Sequence, residues 1–320
     1  MSRQQEVPLF TDPLGEALHL LKLTGTFYCR SVLSEPWGVE LPPFEDCMMF
    51  HIITSGHCWL KVEGDAPVLL QQGSLVLLPH GLGHKIVSAE QQETTPLFDI
   101  PVETVSERFE VMRFGGGGEV TQLTCGVVRF DHVAGQELIK FLPRVMHINT
   151  WAEEEDSWLQ STLRFIAREA RELRPGAETV ITHLADILII QAIRSWLGSS
   201  PQSNTGWLAG LRDRQIGRAL SAIHRNPEFY WTVNSLAKEV GMSRSGFSAR
   251  FSEIVGESAM RYLTRWRMQL ARIQLKNTSD PLIVLAENLG YQSEAAFCRA
   301  FKRVFGVSPG SMRQSLVTEN

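Results

Sequence analysis

Two stretches of the sequence repeat each other, and together they decide the fold of the C-terminal region. Residues 232–251 read TVNSLAKEVGMSRSGFSARF, and residues 281–301 read PLIVLAENLGYQSEAAFCRAF. The segment 236–241 recurs as 285–290 at an offset of 49 residues, and five further anchors recur at an offset of 50. These anchors are Ser243, Phe247, Phe251, Gly256 and Ser258, which return as Ser293, Phe297, Phe301, Gly306 and Ser308. Such a period indicates one structural unit used twice.

Each copy of the repeat has the composition of two short helices joined by a tight turn. An apolar helix ends at a glycine, which can adopt the positive φ that closes a helix, and a serine then stands where it can cap the next helix. Phenylalanines four residues apart bury that second helix. This order predicts a helix-turn-helix, whose second helix enters the major groove of DNA. A plain helical hairpin is the alternative, and two copies favour DNA binding.

Charge is divided unequally along the chain. Residues 212–320 hold 16 Lys and Arg against 9 Asp and Glu, a net charge of +7, whereas the first 211 residues hold 15 against 26, a net charge of −11. A basic rear behind an acidic front suggests that only the rear meets a polyanion such as DNA. Solvated surface charge is the alternative explanation.

Helical geometry selects the face of each second helix that would meet DNA. If the paired phenylalanines point inward, four residues of each helix point away from them. They are Ser245, Ser248, Ala249 and Ser252 in the first copy, and Ala295, Cys298, Arg299 and Lys302 in the second. Arginine can bind guanine O6 and N7 together, whereas serine hydroxyls accept several bases and alanine offers only a methyl group. The second helix is therefore predicted to supply most of the base recognition.

Basic side chains and a connecting helix extend the predicted DNA surface. Arg244 and Arg250 flank the buried edge of the first recognition helix. Each is predicted either to contact DNA phosphates or to pair with a nearby glutamate, Glu239 or Glu253. Residues 258–276 contain no helix breaker and are predicted to form one helix of about 28 Å. That length is close to the ~34 Å between successive major-groove faces, so one chain is predicted to reach two adjacent major-groove segments.

The repeat and its connecting helix resemble the AraC/XylS family of bacterial transcription regulators. The resemblance covers residues 214–313, and its motifs are TVNSLAKEVGMSRSGFSARF, the connecting YLTRWRMQLA, and ENLGYQSEAAFCRAFKRVFGVSPGSMR with its closing G-x-S-P. It implies a regulator that binds double-stranded promoter DNA. The base-facing positions of the family fall on Ser245, Ser248, Ala249, Glu294, Ala295, Cys298 and Arg299. The first helix departs from the family because it carries small residues where many members carry longer polar ones.

Length and composition fit a soluble protein of two compact units. The chain has 320 residues, 43% apolar and 21% charged, which excludes disordered and collagenous classes. The longest strongly apolar stretch, residues 184–193, falls short of the ~20 residues that cross a bilayer. The N-terminus has no apolar run that could act as a signal peptide, so a cytoplasmic location without a membrane partner is predicted. Five cysteines without a C-x-x-C pair are predicted to be free thiols.

The front of the chain has the pattern of short strands. Residues 57–63 alternate between polar and apolar side chains, as a strand with two different faces requires. Residues 68–70, 74–78 and 121–130 are further strand-like runs, separated by turn residues. An antiparallel barrel or sandwich is therefore predicted.

Helical spacing replaces strand spacing further along the chain. Residues 157–173 and 179–197 carry apolar side chains three and four residues apart, on either side of a Pro-Gly stop, and predict a helical hairpin. Residues 198–204 read GSSPQSN and predict a linker. The whole chain is predicted to be an α+β protein. Its predicted domains are a cupin-like antiparallel β-barrel (1–150), a hairpin and linker (151–203) and an all-α domain with two helix-turn-helix motifs (204–320).

A motif in the front region resembles the second motif of the cupins, which are small antiparallel barrels. It reads Gly73-x5-Pro79-x-Gly81-x2-His84, and Ser88 stands where the motif ends in Asn. The resemblance extends to the regulator subfamily with an N-terminal cupin and implies a barrel that binds a small effector.

The metal ligands of enzymatic cupins are missing from this sequence. The first motif of those enzymes supplies two His and a Glu that bind a metal together with the equivalent of His84. Here the Glu place holds Met49, and the His places hold Pro43 and Glu45 or Pro42 and Phe44. One His is too few for a catalytic metal, so no metal, cofactor or catalytic residue is predicted.

His51, Trp59 and His84 are the candidate effector-binding residues. His51 lies two residues from Met49 on the same strand face and is predicted to point into the barrel with His84. A core histidine and an unusual His/Cys metal site are the alternatives. Trp59 shares a face with His57 and is predicted to be either a pocket wall or surface packing.

The sequence supports three hypotheses about the function. The leading hypothesis is a transcription regulator, not an enzyme, whose acidic cupin binds a small effector. The second is a cupin-type metalloenzyme with a DNA-binding domain, against which the missing His-x-His argues. The third is a thiol redox-responsive regulator that uses Cys29, Cys47, Cys58 or Cys125. Its adjacent basic residues, Arg30 and His57, point to the opposite strand face, so a lowered thiol pKa is not inferred.

The predicted partners are promoter DNA, a small-molecule effector and a second copy of the chain bound through residues 157–197. The second helix of that hairpin is apolar beyond one stripe and must bury more than one face. A two-fold contact between copies is the commonest oligomer geometry. Coverage of this surface by the DNA-binding domain of the same chain is the alternative. RNA polymerase is a further candidate partner. The sequence leaves open the effector, the promoter and the direction of regulation.

Overall fold

The structure is a computed structural model that describes residue 15 and residues 23–130, 133–149, 157–172, 174–199 and 206–318. Within these ranges the chain forms two units. The first unit comprises the described residues from 23 to 130 and from 139 to 199, and the second those from 133 to 138 and from 206 onward.

Two β-sheets form the body of the first unit. Its strands are β1 (Leu23–Ser34), β2 (Gly38–Leu41), β3 (Cys47–Ser55), β4 (His57–Val62), β5 (Val68–Gln71), β6 (Ser74–Leu78), β7 (His84–Val87), β8 (Thr95–Pro96), β9 (Val102–Ser106), β10 (Phe109–Gly115), β11 (Val120–Phe130) and β12 (Met146–Asn149). The larger sheet has the order β12-β6-β3-β11-β1-β10-β9, and the smaller β5-β4-β7-β2-β8. One cluster of buried side chains draws on both sheets.

The pairing of the strands corrects one detail of the predicted fold. The β-rich, cupin-like character is confirmed, but β1 pairs in parallel with β10, and β2 with β8. The strands form two sheets of mixed direction and not one closed antiparallel barrel. The parallel pairs join segments far apart in sequence, and no local turn signal marks such a pairing.

Alternation along the strands sets the two faces of each sheet. β4 buries Cys58, Leu60 and Val62 and leaves His57, Trp59 and Lys61 half-buried, as the period of two predicts. β6 is buried along its whole length.

Helix α1 (Val133–Ile139) follows β11, and the first unit then adds α2 (Ser157–Glu172) and α3 (Ala177–Ser199). The two predicted helices of the hairpin are confirmed, with ends within two residues of those expected. Pro175 and Gly176 separate them, and Gly176 has a φ of +83°. α2 packs against α3 and on β3. The predicted linker begins inside α3, whose last two residues are Gly198 and Ser199, and residues 200–204 lie outside the described residues.

Helix α3 extends well beyond residues 184–193, the apolar stretch identified in the sequence. Residues 179–197 have a mean hydropathy of 1.4 and could span a membrane by length and composition alone. Core helices of soluble proteins meet the same criterion, and α3 buries Ile181, Leu188 and Ile193. The absence of a membrane partner stays a prediction.

The second unit is helical over its described residues. After α1 its helices are α4 (Gly206–Arg212), α5 (Arg214–Arg225), α6 (Val233–Glu239), α7 (Arg244–Val255), α8 (Ala259–Asn277), α9 (Leu282–Asn288), α10 (Glu294–Phe305) and α11 (Pro309–Thr318). The pairs α6–α7 and α9–α10 are the two predicted helix-turn-helix motifs, and α8 is the predicted connecting helix. Ser258 caps α8, which ends with Thr278 at its C-cap.

Candidate nucleic-acid interface and effector cavity

The turn of each helix-turn-helix is fixed by the same features in both copies. Gly241 follows α6 with a φ of +69°, and Gly290 follows α9 with a φ of +74°, which are values that L residues rarely adopt. Ser243 caps α7 and Ser293 caps α10 by accepting hydrogen bonds at 3.2 and 3.3 Å from the backbone N–H three residues on. These features orient the second helix of each motif.

The faces predicted to meet DNA are opposite the buried phenylalanines. Phe247, Phe251, Phe297 and Phe301 are fully buried. Nine of the ten predicted DNA-facing residues are exposed, namely Arg244, Ser245, Ser248, Ala249, Ser252, Glu294, Ala295, Arg299 and Lys302. The tenth, Cys298, is half-buried and packs against the core cluster around Phe297. Only part of Cys298 is therefore free to meet a base.

Arg250 has a structural partner that the sequence did not suggest. Its Nε and Nη2 donate to Asp213 Oδ2 at 3.1 and 2.6 Å. Asp213 in turn caps α5 by accepting from the backbone N–H groups of Gln215 and Ile216. The expected partners were Glu239 and Glu253, on the same local segment. The observed pair ties α7 to the start of α5 across 37 residues of sequence.

Two arginines of the connecting helix α8 also have structural partners. Arg265 donates to Glu137 Oε2 at 2.6 Å and to Glu257 Oε1 at 2.8 Å. Arg267 donates to the carbonyl oxygens of Pro227 and Phe229. Part of the positive charge of the second unit therefore holds its own loops in place.

The first unit contains a cavity of about 460 Å³. The strands β1, β3 and β11 of the larger sheet line it mainly with odd-numbered residues, as the pleat requires. These include Cys29 and Ser31 of β1, Met49 and His51 of β3, and Leu123, Cys125 and Val127 of β11. Two charged side chains, Glu110 and Arg129, also line the cavity; Arg129 is exposed and Glu110 half-buried. The wall is otherwise mostly apolar.

A chain of hydrogen bonds links both predicted histidines to a cavity thiol. His84 Nδ1 lies 2.9 Å from the carbonyl oxygen of Leu82, His84 Nε2 lies 2.7 Å from His51 Nε2, and His51 Nδ1 lies 3.0 Å from Cys125 Sγ. A carbonyl only accepts, so His84 Nδ1 carries the proton and Nε2 of the neutral ring accepts. His51 Nε2 must then donate, which leaves His51 Nδ1 to accept the Cys125 S–H.

Burial determines the protonation states of the three hydrogen-bonded side chains His84, His51 and Cys125. It lowers the pKa of His84 to about 4, with a smaller opposing effect from the hydrogen bond to Leu82. Burial, and then the proximity of His84, lowers the pKa of His51 well below its usual value. Burial raises the pKa of the Cys125 thiol, and the neighbouring Cys29 and Cys58 raise it further. At neutral pH both imidazoles and the thiol are therefore uncharged.

Known protein families match both parts of the chain. A cupin family matches residues 12–198, and a helix-turn-helix domain family matches residues 236–315. An AraC-like transcription regulator of Streptomyces antibioticus is 34% identical over 95% of this chain and 98% of its own length. This chain belongs to the AraC-like transcription regulators. It binds DNA and regulates transcription, as the resemblance of residues 214–313 implied.

A further regulator matches most of the AraC-like chain, and a solved structure matches about a third of it. The HTH-type transcriptional regulator AlkR of Acinetobacter baylyi is 31% identical over 95% of this chain and 99% of its own length. Among solved structures, the DNA-binding domain of AdpA in complex with a target DNA is 25% identical, with a TM-score of 0.32, and covers 34% of this chain and 96% of that one.

The histidines of this AraC-like regulator do not fit a cupin metal centre. His51 and His84 share a hydrogen bond of 2.7 Å between their Nε2 atoms, which leaves no space for an ion between them. Within the part of the chain that the structure describes, no group of three or more His, Cys, Asp or Glu side chains is placed to hold a metal ion. The described residues therefore offer the metalloenzyme hypothesis no set of metal ligands.

The three candidate effector residues have different positions. His51 lines the cavity, and His84 lies behind it as its hydrogen-bond partner. Trp59 lies on the face of β4 opposite the buried Cys58 and Leu60 and is not among the residues that line this cavity, a position that agrees with surface packing. Sequence reasoning missed the link between Cys125 and His51, which are 74 residues apart. No local pattern shows that β11 pairs with β3.

Cys29, Cys58 and Cys125 give no support to the redox hypothesis through their acidity. Burial raises the pKa of Cys58 to about 12 and also raises that of Cys29. Protonated thiols are poor nucleophiles toward dissolved oxidants. All five cysteines are free.

Proposed function

We propose that this regulator reads promoter DNA mainly through α10. The observation that carries the proposal is the position of Arg299 and Lys302, exposed on the face opposite the buried Phe297 and Phe301. Arg299 has the chemistry to bind guanine, whereas α7 presents serine and alanine. The affinity of an Arg299→Ala variant for promoter DNA tests this proposal.

We propose further that the protein is cytoplasmic, has no enzymatic activity and is controlled by a small molecule in the cavity of the first unit. A volume of about 460 Å³ is within the range of ligand pockets. His51 and Cys125 of the wall are uncharged, so a ligand charge buried beside them would lack a partner. The favoured effector class is therefore uncharged and mainly apolar.

A cavity-filling substitution tests the effector proposal. Octan-3-one serves as an uncharged probe, and octanoate of the same length as a charged one. At 100 times its dissociation constant, octan-3-one is expected to stabilise the first unit by about 2.7 kcal/mol, seen as a higher melting temperature. Val127→Phe, which fills part of the cavity, is expected to abolish this shift. Val120→Phe lies on the exposed start of β11 and is expected to keep it.

Two results would contradict this assignment. A shift that survives in Val127→Phe would place the ligand outside the cavity. A shift produced by octanoate and not by octan-3-one would replace the uncharged class by a carboxylate, with Arg129 as its partner.

We propose that two copies of the chain associate through α3. The helix turns Ile181, Leu188 and Ala192 inward, so part of the predicted stripe is used within the chain. Its other side retains Ile187, which is 46% exposed, beside the half-buried Val180 and Leu184. These three residues follow one helical stripe, at spacings of four and three. A second copy that presents the same stripe would cover it in a two-fold contact.

Sedimentation of matched variants tests the dimer. We expect the parent protein to sediment as a dimer and Ile187→Lys as a monomer, since an unpaired ammonium cannot be buried in the contact. Ile187→Lys should keep a cooperative melting transition because Ile187 is exposed within one chain. Its melting temperature should fall below that of the parent only by the stabilisation that dimerisation supplies. Thr179→Lys, exposed on the same helix but about 80° or more around it from the three stripe residues, should remain a dimer. A parent protein that is monomeric well above the concentrations of promoter binding would exclude the proposal.

A further inference from the structure

The cavity of the first unit contains a nucleophile with a base at hydrogen-bond distance. Cys125 Sγ lies 3.0 Å from His51 Nδ1, and both residues line the cavity. Cys125 is half-buried, so part of its surface faces the space that a ligand would occupy. DNA recognition uses neither residue. Their arrangement allows a chemical step that DNA recognition does not use.

The arrangement has the three parts of an activated nucleophile. A thiol donates to a base, and the base is oriented by a third group. Here His84 is that group, because its Nε2 accepts a hydrogen bond of 2.7 Å from His51 Nε2–H and its Nδ1–H donates to the carbonyl oxygen of Leu82. His51 Nδ1 is left without a proton and can receive one from Cys125.

We propose that Cys125 captures an uncharged electrophile with an apolar body, of the α,β-unsaturated ketone or aldehyde class, as a covalent thioether. The inference rests on the proposed effector cavity and names a class of ligand for it. The apolar wall binds the hydrocarbon body, and the thiol lies where the reactive carbon can reach it. The adduct is the effector-bound form of the regulator.

The reaction balances without an oxidant or a leaving group. The sulfur forms a bond to the β-carbon, the electron pair of the C=C bond moves toward the carbonyl as an enolate, and the S–H proton passes to His51 Nδ1. The His51 imidazolium then returns a proton to the α-carbon. One S–C and one C–H bond replace the S–H bond and the C=C π bond. The protein gains the whole mass of the ligand.

The neutral resting state gives the site its selectivity. Burial holds the thiol and both imidazoles uncharged, so a thiolate does not form before a ligand is bound. The other titratable groups near the pair are Cys29 on β1 and Cys58 on β4, and Glu110 on β10 lies near Cys29. Proton transfer becomes favourable only when an electrophile in the cavity accepts the negative charge.

Mass spectrometry of the full chain tests the proposal with oct-1-en-3-one as the probe. We expect one addition of the intact ketone, mapped to the peptide that contains Cys125. Cys125→Ala should lose this addition, while Cys298→Ser, which removes a half-buried thiol of α10, should keep it. His51→Asn should slow the addition by about 100-fold, the usual contribution of general base catalysis.

The pH dependence of the rate separates a catalytic base from a merely structural histidine. In the parent protein the reactive form is the neutral pair, so the rate constant should be nearly flat between about pH 6 and 8. In His51→Asn only the thiolate reacts, and the rate constant should rise tenfold with each pH unit. His84 is a positioning residue, and His84→Asn should give a slope between these two.

Specific outcomes would overturn the inference. Addition to Cys29 or Cys298 in place of Cys125 would do so, as would equal rates in the parent and His51→Asn. If octan-3-one raises the melting temperature but oct-1-en-3-one leaves no adduct, the effector cavity stands and covalent capture fails. If the adduct forms on Cys125 although octan-3-one has no effect, capture stands and the reversible effector fails.

Discussion

Replacing Gly290 with alanine is expected to destabilise the second helix-turn-helix by roughly 2 to 5 kcal/mol, the sum of a left-handed backbone and a steric clash. The φ of +74° alone costs an L residue about 1 to 2 kcal/mol. The added Cβ would also overlap the carbonyl oxygen of Glu228 and lie 2.8 Å from Arg267 Nη2. Arg267 is held by the carbonyls of Pro227 and Phe229, so it cannot move away freely.

Gly241 supplies a matched control for this substitution. It occupies the equivalent turn of the first motif with a φ of +69°, but a Cβ there meets no atom within 4 Å. Gly241→Ala should therefore cost only about 1 to 2 kcal/mol. Hydrogen exchange of the full chain, read on peptides from α9 and α10 and from α6 and α7, measures both opening free energies. Equal losses in the two variants would show that the contact with Glu228 is relieved without cost.

The two copies of the repeat show which parts of the fold a sequence can predict. The turn glycines, the capping serines and the buried phenylalanines are local signals, and each is confirmed at the expected position. The close approach of Glu228 to Gly290 is not local, because Glu228 lies about 60 residues earlier in the chain. The sequence therefore predicts the motif twice but does not show that one copy is sterically tighter.

Contacts between distant segments also escaped prediction in the front of the chain. Alternation predicted β4, and the residues of β5, β6 and most of β11 were also expected as strands. The parallel pairing of β1 with β10 brings distant segments together, and no periodicity reports it. The cavity depends on that pairing, since both β1 and β10 contribute to its wall. His51 and His84 were expected in it from a motif and a strand face, whereas Cys125 became a candidate only through its distance to His51.

The net positive charge of the second unit is weaker evidence for DNA contacts than the number of its basic residues suggests. Arg250, Arg265 and Arg267 contribute to the +7, yet each is engaged by a carboxylate or a carbonyl within the unit. Counts of basic residues do not separate such structural arginines from those that face DNA. Helical phase does, because Arg299 and Lys302 lie opposite the buried phenylalanines. The strongest prediction about DNA therefore concerns single side chains.

Arg299→Ala is expected to weaken specific promoter binding by about 1 to 3 kcal/mol, the usual value of one bidentate base contact, which is about a 5- to 150-fold rise in Kd. Ser248→Ala, at an equally exposed position of α7, should change Kd by less than about twofold, since a serine hydroxyl discriminates weakly among bases. Titrations on promoter DNA at fixed salt measure both values.

Lys302→Ala distinguishes base recognition from phosphate contact. It should weaken binding to promoter and unrelated DNA alike and reduce the slope of log K against log salt by about 1. Arg299→Ala should instead lose affinity mainly for the promoter and leave binding to unrelated DNA nearly unchanged, because a base contact carries the sequence information. Equal losses for Arg299→Ala and Ser248→Ala would mean that α7 and α10 share the readout, and the small side chains of α7 would then act through close approach of its backbone to the groove.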